Sequence, residues 1–169
     1  SVSGEINYID HVMGNTDHRL TGYLTAGIAY FTHDPEAMDS YGNWHPLQPL
    51  GTEGQGWTFG NDPYKLNGIA LPFGMGFKVN LGPAIAFQME WGLRKTWTDY
   101  LDDVSTSYVN PVELRQARGE LALEMADRIL DLPDELSTSQ GLQRGDSGLD
   151  DKYGFFLASI AFRVSKKPT

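Results

Sequence analysis

The chain has 169 residues, a formal net charge of −9 and no cysteine. The length fits one domain over residues 1–169, and the missing thiols exclude disulfides, thiolate catalysis and cysteine-based metal sites. The acidic balance predicts no nucleic-acid partner, because a phosphate backbone requires a basic stripe. No run of about 18 apolar residues occurs, so no transmembrane helix is predicted, and the start of the chain has no signal-peptide pattern.

Two alternating segments open the chain. In residues 2–8 the larger side chains recur at every second position, and a short polar connection follows at His11–Asp17. A longer alternating run extends from Arg19 to Phe31, and the segment after it, from Thr32 to Tyr64, is rich in glycine, proline and aromatic residues. These patterns predict a first strand, a tight turn, a second strand and a long loop.

The segment from Leu66 to Tyr100 carries the clearest period of two. Its large apolar residues are Ile69, Leu71, Phe73, Met75, Phe77, Val79 and Leu81, followed by Ile85, Phe87, Met89, Trp91 and Leu93. The residues between them are small or polar and include Lys78, Glu90 and Arg94. The pattern predicts a β-hairpin. Because paired residues share a face, its turn should hold an odd number of residues or a bulge, and we predict Leu81-Gly82-Pro83.

The distribution of polarity between the two faces of this hairpin predicts a membrane protein. One face is continuously bulky and apolar, whereas the other is rich in glycine and carries the charges, which is typical of a transmembrane β-barrel. Each run also has the roughly 9–11 residues that a tilted strand needs to cross a bilayer. A soluble barrel or sandwich, such as a lipocalin-like binder, is the alternative.

The last alternating run, Tyr153 to Val164, brings the predicted strands to five, joined by connections that are short, long, short and long. Short periplasmic turns and long extracellular loops alternate in this way in outer-membrane barrels. Bacterial barrels use an even number of strands from about eight upward, so we expect N-terminal strands to be missing. The predicted fold class is all-β: an antiparallel transmembrane β-barrel, eight-stranded when complete, with long extracellular loops and one short helix.

The second long insertion, Asp102–Lys152, holds that helix. Asn110 is the predicted N-cap, Pro111 occupies the first helical position, and Glu113 lies three residues after the cap. The apolar residues at helical spacing are Leu114, Ala117, Leu121, Met125 and Ile129, and Pro133 ends the run. The narrow apolar stripe predicts that the helix packs on the loop or at the rim; a partner-binding helix is the alternative.

Several motifs resemble the PorG-like outer-membrane β-barrels of Bacteroidetes. They are WHPLQPLGTEGQG at 44–56, LPFG at 71–74, TDYLDDVS at 98–105 and ELALEMADRIL at 120–130, and they occur in the order of that family. The resemblance implies that the protein lies in the bacterial outer membrane, in contact with outer-membrane lipid. It further implies a role in the type IX secretion and gliding apparatus. It also implies that the periplasmic ring subunits and other secretion-system proteins are partners. The final KKPT departs from the family, whose members often end near an aromatic residue.

The sequence predicts no enzyme and no cofactor. Ser159 and Glu90 are expected on the polar face, but no histidine shares a strand face with either, and neither GxSxG nor HExxH occurs. No two histidines are paired at metal-ligand spacing; they are His11, His18, His33 and His45. Two acidic groups are candidates for calcium: Asp99, Asp102 and Asp103, and then Asp146, Asp150 and Asp151. Neither fits an EF-hand, so we predict solvated loops and no metal site.

The charged residues of the polar face predict a filled interior. They are Glu5, Lys78, Glu90, Arg94 and Arg163, and opposite charges among them are expected to pair across the lumen. An eight-stranded barrel is only just wide enough for its own side chains. We therefore expect a plugged barrel, and the alternative function is a surface adhesin or ligand-binding barrel that acts through acidic extracellular loops.

Overall fold

The computed structural model describes residues 1–15, 17–58, 61–127 and 139–164. Most of this structure is antiparallel β-sheet with few helices, in agreement with the predicted all-β class. Its elements are β1 (Val2–Asn7), β2 (Leu20–Thr32), β3 (Glu36–Met38), β4 (Trp44–Pro46), β5 (Asn67–Asn80), β6 (Ile85–Thr96), α1 (Pro111–Arg118), α2 (Glu120–Ala126) and β7 (Lys152–Phe162). Within the described residues no helix has both the length and the apolar character to cross a membrane.

The five long strands form one sheet in the order β1-β2-β5-β6-β7. Strand β1 pairs antiparallel with β2, β5 with β6, and β6 with β7, and β2 lies beside β5. Each strand lies where period-two alternation predicts it, with ends shifted by one to three residues. The order follows the chain, as short turns and local pairing favour.

The register confirms the predicted faces of the sheet. For the most part bulky residues pair with bulky residues, as in Met75–Trp91 and Phe87–Ile160, and small or polar positions pair with one another, as in Gly76–Glu90. Phe155 and Leu157 of β7 are exceptions, because they pair with Gly92 and Glu90. The bulky face is the exposed one: Met75 is 54% and Ile160 58% exposed. Buried residues of the other face are small or polar for the most part: Thr21, Tyr23, Ala29, Ala70, Asn80, Ala86 and Thr96.

Five residues, Leu81–Ile85, lie between the last paired residues of β5 and β6, an odd number as the face assignments require, but two more than predicted. Asn80 pairs with Ala86, and the Leu81 and Gly82 amides both donate to the Ile85 carbonyl, at 2.9 and 3.3 Å. The predicted three-residue turn, Leu81-Gly82-Pro83, is therefore wrong, because it would pair Asn80 with Ala84. Proline has no amide hydrogen and Gly82 allows a bend, so the loop widens around Gly82-Pro83.

The chain divides into two compact units. The strand unit comprises Ser1–Tyr30, Ile69–Thr96 and Lys152–Thr169, and the loop unit comprises Phe31–Gly68 and Trp97–Asp151. The loop unit thus consists of the two long insertions that the sequence separates. That residues 1–169 form one domain stays a prediction.

The predicted helix is two helices. Asn110 caps α1 as expected, its side chain accepting from the Val112 and Glu113 amides at 2.9 and 3.3 Å, and Pro111 begins the helix. Gly119 adopts φ +88° and separates α1 from α2, a conformation that glycine tolerates and that ends a helix. The predicted Ile129 turn and the Pro133 stop lie outside the described residues.

The break at Gly119 changes which residues of the helices are buried. Leu114, Ala122 and Ala126 form a small core with the partly buried Leu50 and Trp57. Ala117 of the predicted stripe is exposed instead. The expectation that the helix packs on the loops is confirmed, because this core combines both insertions.

The first long connection contains a short hairpin that the sequence does not predict. Strands β3 and β4 form a two-stranded antiparallel sheet in which Met38 pairs with Trp44. Three-residue strands are too short to display a period of two. The hairpin therefore appears only in the structure.

Candidate functional site

The two insertions meet in a buried ionic cluster, made of Thr52, Glu53, Tyr64, Asp103, Ser105, Thr106 and Arg144. Glu53 and Asp103 belong to the TEGQG and TDYLDDVS segments, and Arg144 comes from the end of the second insertion. We call this set the loop cluster.

Local backbone geometry places Thr52 and Glu53. A short 3-10 helix, Gln48–Leu50, ends at Gly51, which adopts φ +59°. Gly54 and Gly56 also have positive φ, +96° and +74°. These angles are costly for residues with a Cβ, so glycine at these three positions allows the tight loop that carries Thr52 and Glu53.

Glu53 is the centre of the loop cluster. One carboxylate oxygen, Oε1, accepts from the Ser105 amide at 2.9 Å and from Arg144 Nη1 at 3.0 Å. The other, Oε2, accepts from the Thr106 amide at 2.9 Å and from its hydroxyl at 2.7 Å. The side chain is fully buried. A buried carboxylate needs such partners to remain ionised without a large free-energy cost.

Asp103 is the second buried carboxylate. It accepts from the Thr52 hydroxyl at 2.5 Å and from the Tyr64 hydroxyl at 2.7 Å, and its Oδ2 lies 3.7 Å from Arg144 Nη2. Burial raises the pKa of Asp103, and the hydrogen bonds from Thr52 and Tyr64 and the charge of Arg144 oppose that increase. Asp103 also has φ +70°, a conformation unusual for a residue with a Cβ.

Arg144 joins the two carboxylates. Its Nη1 also donates to the Asp103 carbonyl at 2.7 Å and to Thr52 Oγ1 at 3.1 Å, and the side chain is 7% exposed. Planar guanidinium groups suit such multidentate pairing. Because every charged group of the cluster is enclosed, the role of the cluster is to hold the two insertions in one arrangement.

Aromatic rings pack beside the cluster. Tyr64 stacks on Tyr100 with ring centroids 4.6 Å apart and an interplanar angle of 6°. His33 stacks on the Tyr64 ring at 6.3 Å, and its Nε2 lies 3.1 Å from the Tyr100 carbonyl oxygen. Burial, followed by the hydrogen bond to Asp103, raises the pKa of Tyr64 well above its usual range. The Tyr64 hydroxyl therefore acts as a donor.

Four of the six aspartates considered for calcium have other hydrogen-bond partners. Asp103 belongs to the loop cluster, and Asp151 Oδ2 accepts from the Leu101 amide at 2.9 Å. Asp102 and Asp146 accept from the amides of Val104 and Gly148, both at 3.1 Å. No group of three or more histidine, aspartate or glutamate side chains within the described residues could hold a metal ion. These carboxylates shape the loops.

The polar face of the strand unit carries its own network. Lys78 forms an ion pair with Glu5, Tyr23 donates to Glu90 Oε2 at 2.9 Å, and Gln88 donates to the Tyr23 hydroxyl oxygen at 2.6 Å. The predicted pairing of opposite charges is confirmed for Lys78 with Glu5. Ser159 lies on this face opposite Gln88, as predicted.

The two arginines expected on this face have neutral partners. Arg94 donates to the Tyr153 hydroxyl at 3.1 Å and lies over the Phe155 ring at 5.2 Å. Arg163 donates to the Met13 carbonyl oxygen. Within the described residues, aromatic and backbone groups thus take the place of the carboxylates expected as their partners.

His11, His18 and His33 lie outside the strands, as predicted, whereas His45 is the middle residue of β4. His45 Nε2 is 2.8 Å from Asp39 Oδ2 in the short hairpin, and His33 contacts Tyr100 as described above. His11 and His18 lie between β1 and β2. Sequence reasoning missed the roles of Arg144 and Tyr64; the only signal for Arg144 is that it is the one cation among residues 139–151.

Comparison of the chain with protein-family models, curated proteins and solved structures gives no match. The resemblance to PorG-like barrels stays a prediction.

Proposed function

We propose that this chain is a non-enzymatic component of a bacterial outer-membrane β-barrel. The observation that carries the proposal is the exposure of the sheet: bulky apolar side chains such as Ile28, Met75 and Phe156 face outward, whereas small and polar side chains are buried. A sheet in water has the reverse arrangement. Lipid is the solvent in which an outward apolar face is stable.

Strand length and connections agree with this proposal. β2, β5, β6 and β7 have 13, 14, 12 and 11 residues, enough to cross a bilayer at a tilt. β1 and β7 are the edge strands of the five-stranded sheet. We infer that further strands join these edges to close a barrel of about eight strands. Side chains such as Tyr23, Lys78 and Arg94 would then plug its interior.

The role in type IX secretion and gliding comes from the PorG-like resemblance alone. In this proposal the barrel anchors or couples the periplasmic ring to the outer membrane through its short turns. Outer-membrane lipid, the ring subunits and other secretion-system proteins are its partners, and nucleic acid is not.

Cysteine labelling tests the membrane location, because the natural chain has no cysteine. We would place one cysteine at Met75, at Ile160 or, as the control, at Leu149 of the loop unit, which is 64% exposed. In isolated outer membranes, a water-soluble maleimide should label Leu149→Cys but leave Met75→Cys and Ile160→Cys unmodified. A lipid-soluble maleimide should label the two sheet positions. Rapid labelling of all three by the water-soluble reagent would overturn the membrane proposal.

A second experiment tests the coupling role. Gly82 lies in a short turn where an added Cβ would meet nothing within 4 Å, so Gly82→Cys preserves the fold. A cross-linker on this cysteine should capture a periplasmic ring subunit in secreting cells, whereas one on Leu149→Cys should not. Normal secretion and gliding in cells that lack the protein would contradict the coupling role without affecting the membrane assignment.

A surface adhesin or ligand-binding barrel is the second candidate. The loop unit favours it, with 18 acidic and 5 basic residues, a net charge of −13, against 4 acidic and 8 basic residues in the strand unit. Shortening the first insertion should then abolish ligand capture while secretion stays normal.

A further inference from the structure

The β3–β4 hairpin displays an aromatic surface at its tip. Trp44, paired across the hairpin with Met38, is 61% exposed, and Tyr41 in the turn is 88% exposed. Tryptophan and tyrosine are the residues most often found at binding hot spots. We call Trp44 and Tyr41 the hairpin aromatics.

Several hydrogen bonds fix the turn that holds Tyr41 and leads into Trp44. Asp39 Oδ1 accepts from the Tyr41 and Asn43 amides at 2.9 and 2.8 Å, and Gly42 adopts φ +91°, the glycine-favouring angle of a three-residue hairpin loop. The Ser40 amide donates to Glu124 Oε1 at 2.6 Å, and this hydrogen bond joins the turn to α2. A fixed turn loses little conformational entropy when it binds a partner.

Charge selects the kind of partner. The loop unit has a net charge of −13, and three of its arginines already have acceptors. Arg115 pairs with Glu120, Arg118 donates to the Gly56 carbonyl at 3.0 Å, and Arg144 lies in the loop cluster. Glu36, at the start of β3, is exposed. The surface therefore repels anionic partners and attracts cationic ones.

We propose that the β3–β4 hairpin docks an arginine- or lysine-rich segment of another protein. The cationic side chains lie over the Trp44 and Tyr41 rings, where the ring quadrupole attracts them, and pair with carboxylates of the loop unit such as Glu36. Complementary charge speeds association, and the aromatic rings supply the contact that holds the complex. The inference concerns the loop unit only and does not depend on the proposed membrane location.

Binding of defined peptides tests this inference. The probes are a 12-residue peptide alternating arginine and alanine and a matched peptide with glutamate in place of arginine. Titrated into the purified full chain, the arginine peptide should bind and the glutamate peptide should not. Trp44→Ala should raise the Kd about tenfold or more, the effect expected of a hot-spot residue. Affinity should fall as salt rises from about 50 to 200 mM, because exposed charges become screened.

Trp97→Ala is the matched control, since Trp97 lies in the same unit and is 56% exposed. It should leave the Kd within about twofold, because the hairpin is unchanged. Tyr41→Ala is the second variant; its exposed ring can be removed without disturbing packing, and it should also weaken binding. Equal affinity in wild type and in both hairpin variants would reveal non-specific charge attraction and overturn the proposal. The proposal would also be overturned if the hairpin aromatics bound phosphatidylcholine vesicles and showed no preference for the arginine peptide.

Discussion

Glu53 and Arg144 form a buried ion pair, with Oε1 and Nη1 3.0 Å apart, between residues separated by 91 positions in the sequence. The pair joins the first insertion to the end of the second. Because Asp103 contacts the same guanidinium, Arg144 neutralises part of the charge of two enclosed carboxylates. The arrangement of the loop unit thus depends on one cation.

Replacing Arg144 with methionine should destabilise the loop unit by about 3–5 kcal/mol, because it leaves buried carboxylates without their cation. Hydrogen exchange of the Ser105 and Thr106 amides, which donate to Glu53, measures the free energy of opening. The control is Arg115→Met, whose exposed pair with Glu120 should contribute only about 0–1 kcal/mol. Similar effects of the two substitutions would show that the loop cluster does not stabilise the unit.

Lowering the pH from neutral towards the ordinary aspartate pKa of 3.8 should stabilise the loop unit through Asp103. Its folded-state pKa is raised above the ordinary 3.8 by burial, so the folded state binds the proton more tightly than the unfolded chain. This contribution is fully present below the unfolded pKa and is lost as pH rises through the folded pKa. Burial also raises the pKa of Asp99 and of Asp151, which act in the same direction.

Opening free energies measured against pH, in wild type and in Asp103→Asn, check this sign. The variant should have a flatter profile over that range, because one titrating group is removed. The lowered pKa of Asp39, caused first by the Asn43 amide, acts in the opposite direction but only below its unfolded value of 3.8. A wild-type opening free energy that falls as the pH drops from neutral towards 3.8 would contradict the assignment.

Met75→Arg should cost about 2–4 kcal/mol if β5 crosses a bilayer, because it places a charge on the lipid face near the middle of the strand. In water the same exposed position would tolerate arginine within about 0.5 kcal/mol. Urea unfolding of the protein in lipid vesicles measures the difference. Leu149→Arg, an exposed position of the loop unit, is the control with an expected effect near zero.

Gly92→Ala should destabilise the strand unit by about 1–3 kcal/mol through overpacking. An added Cβ would lie 2.3 Å from the Phe155 ring, which packs directly over this glycine. Gly82→Ala is the control, because its Cβ would meet no atom within 4 Å. Combining Gly92→Ala with Phe155→Leu should recover part of the loss, and additive effects in this unfolding cycle would contradict the packing argument.

The sequence by itself determined the five long strands, their faces and the cap of α1. Alternation such as Phe73, Met75 and Phe77 is a local property, since successive side chains of a strand must point to opposite faces. Asn110 and Pro111 likewise act on the adjacent turn of helix. The odd number of residues in the β5–β6 turn followed from the same pairing rule.

Only the tertiary structure decided the turn register, the break at Gly119 and the loop cluster. Glu53, Asp103 and Arg144 have no regular spacing, and their partners in the loop cluster lie 39 to 92 positions away. Burial, which raises the pKa of Asp103 and gives Arg144 its role, depends on which distant segments exclude water. No local sequence pattern predicts which segments these are, because the free energy of a buried charge is set by its neighbours in space rather than in sequence.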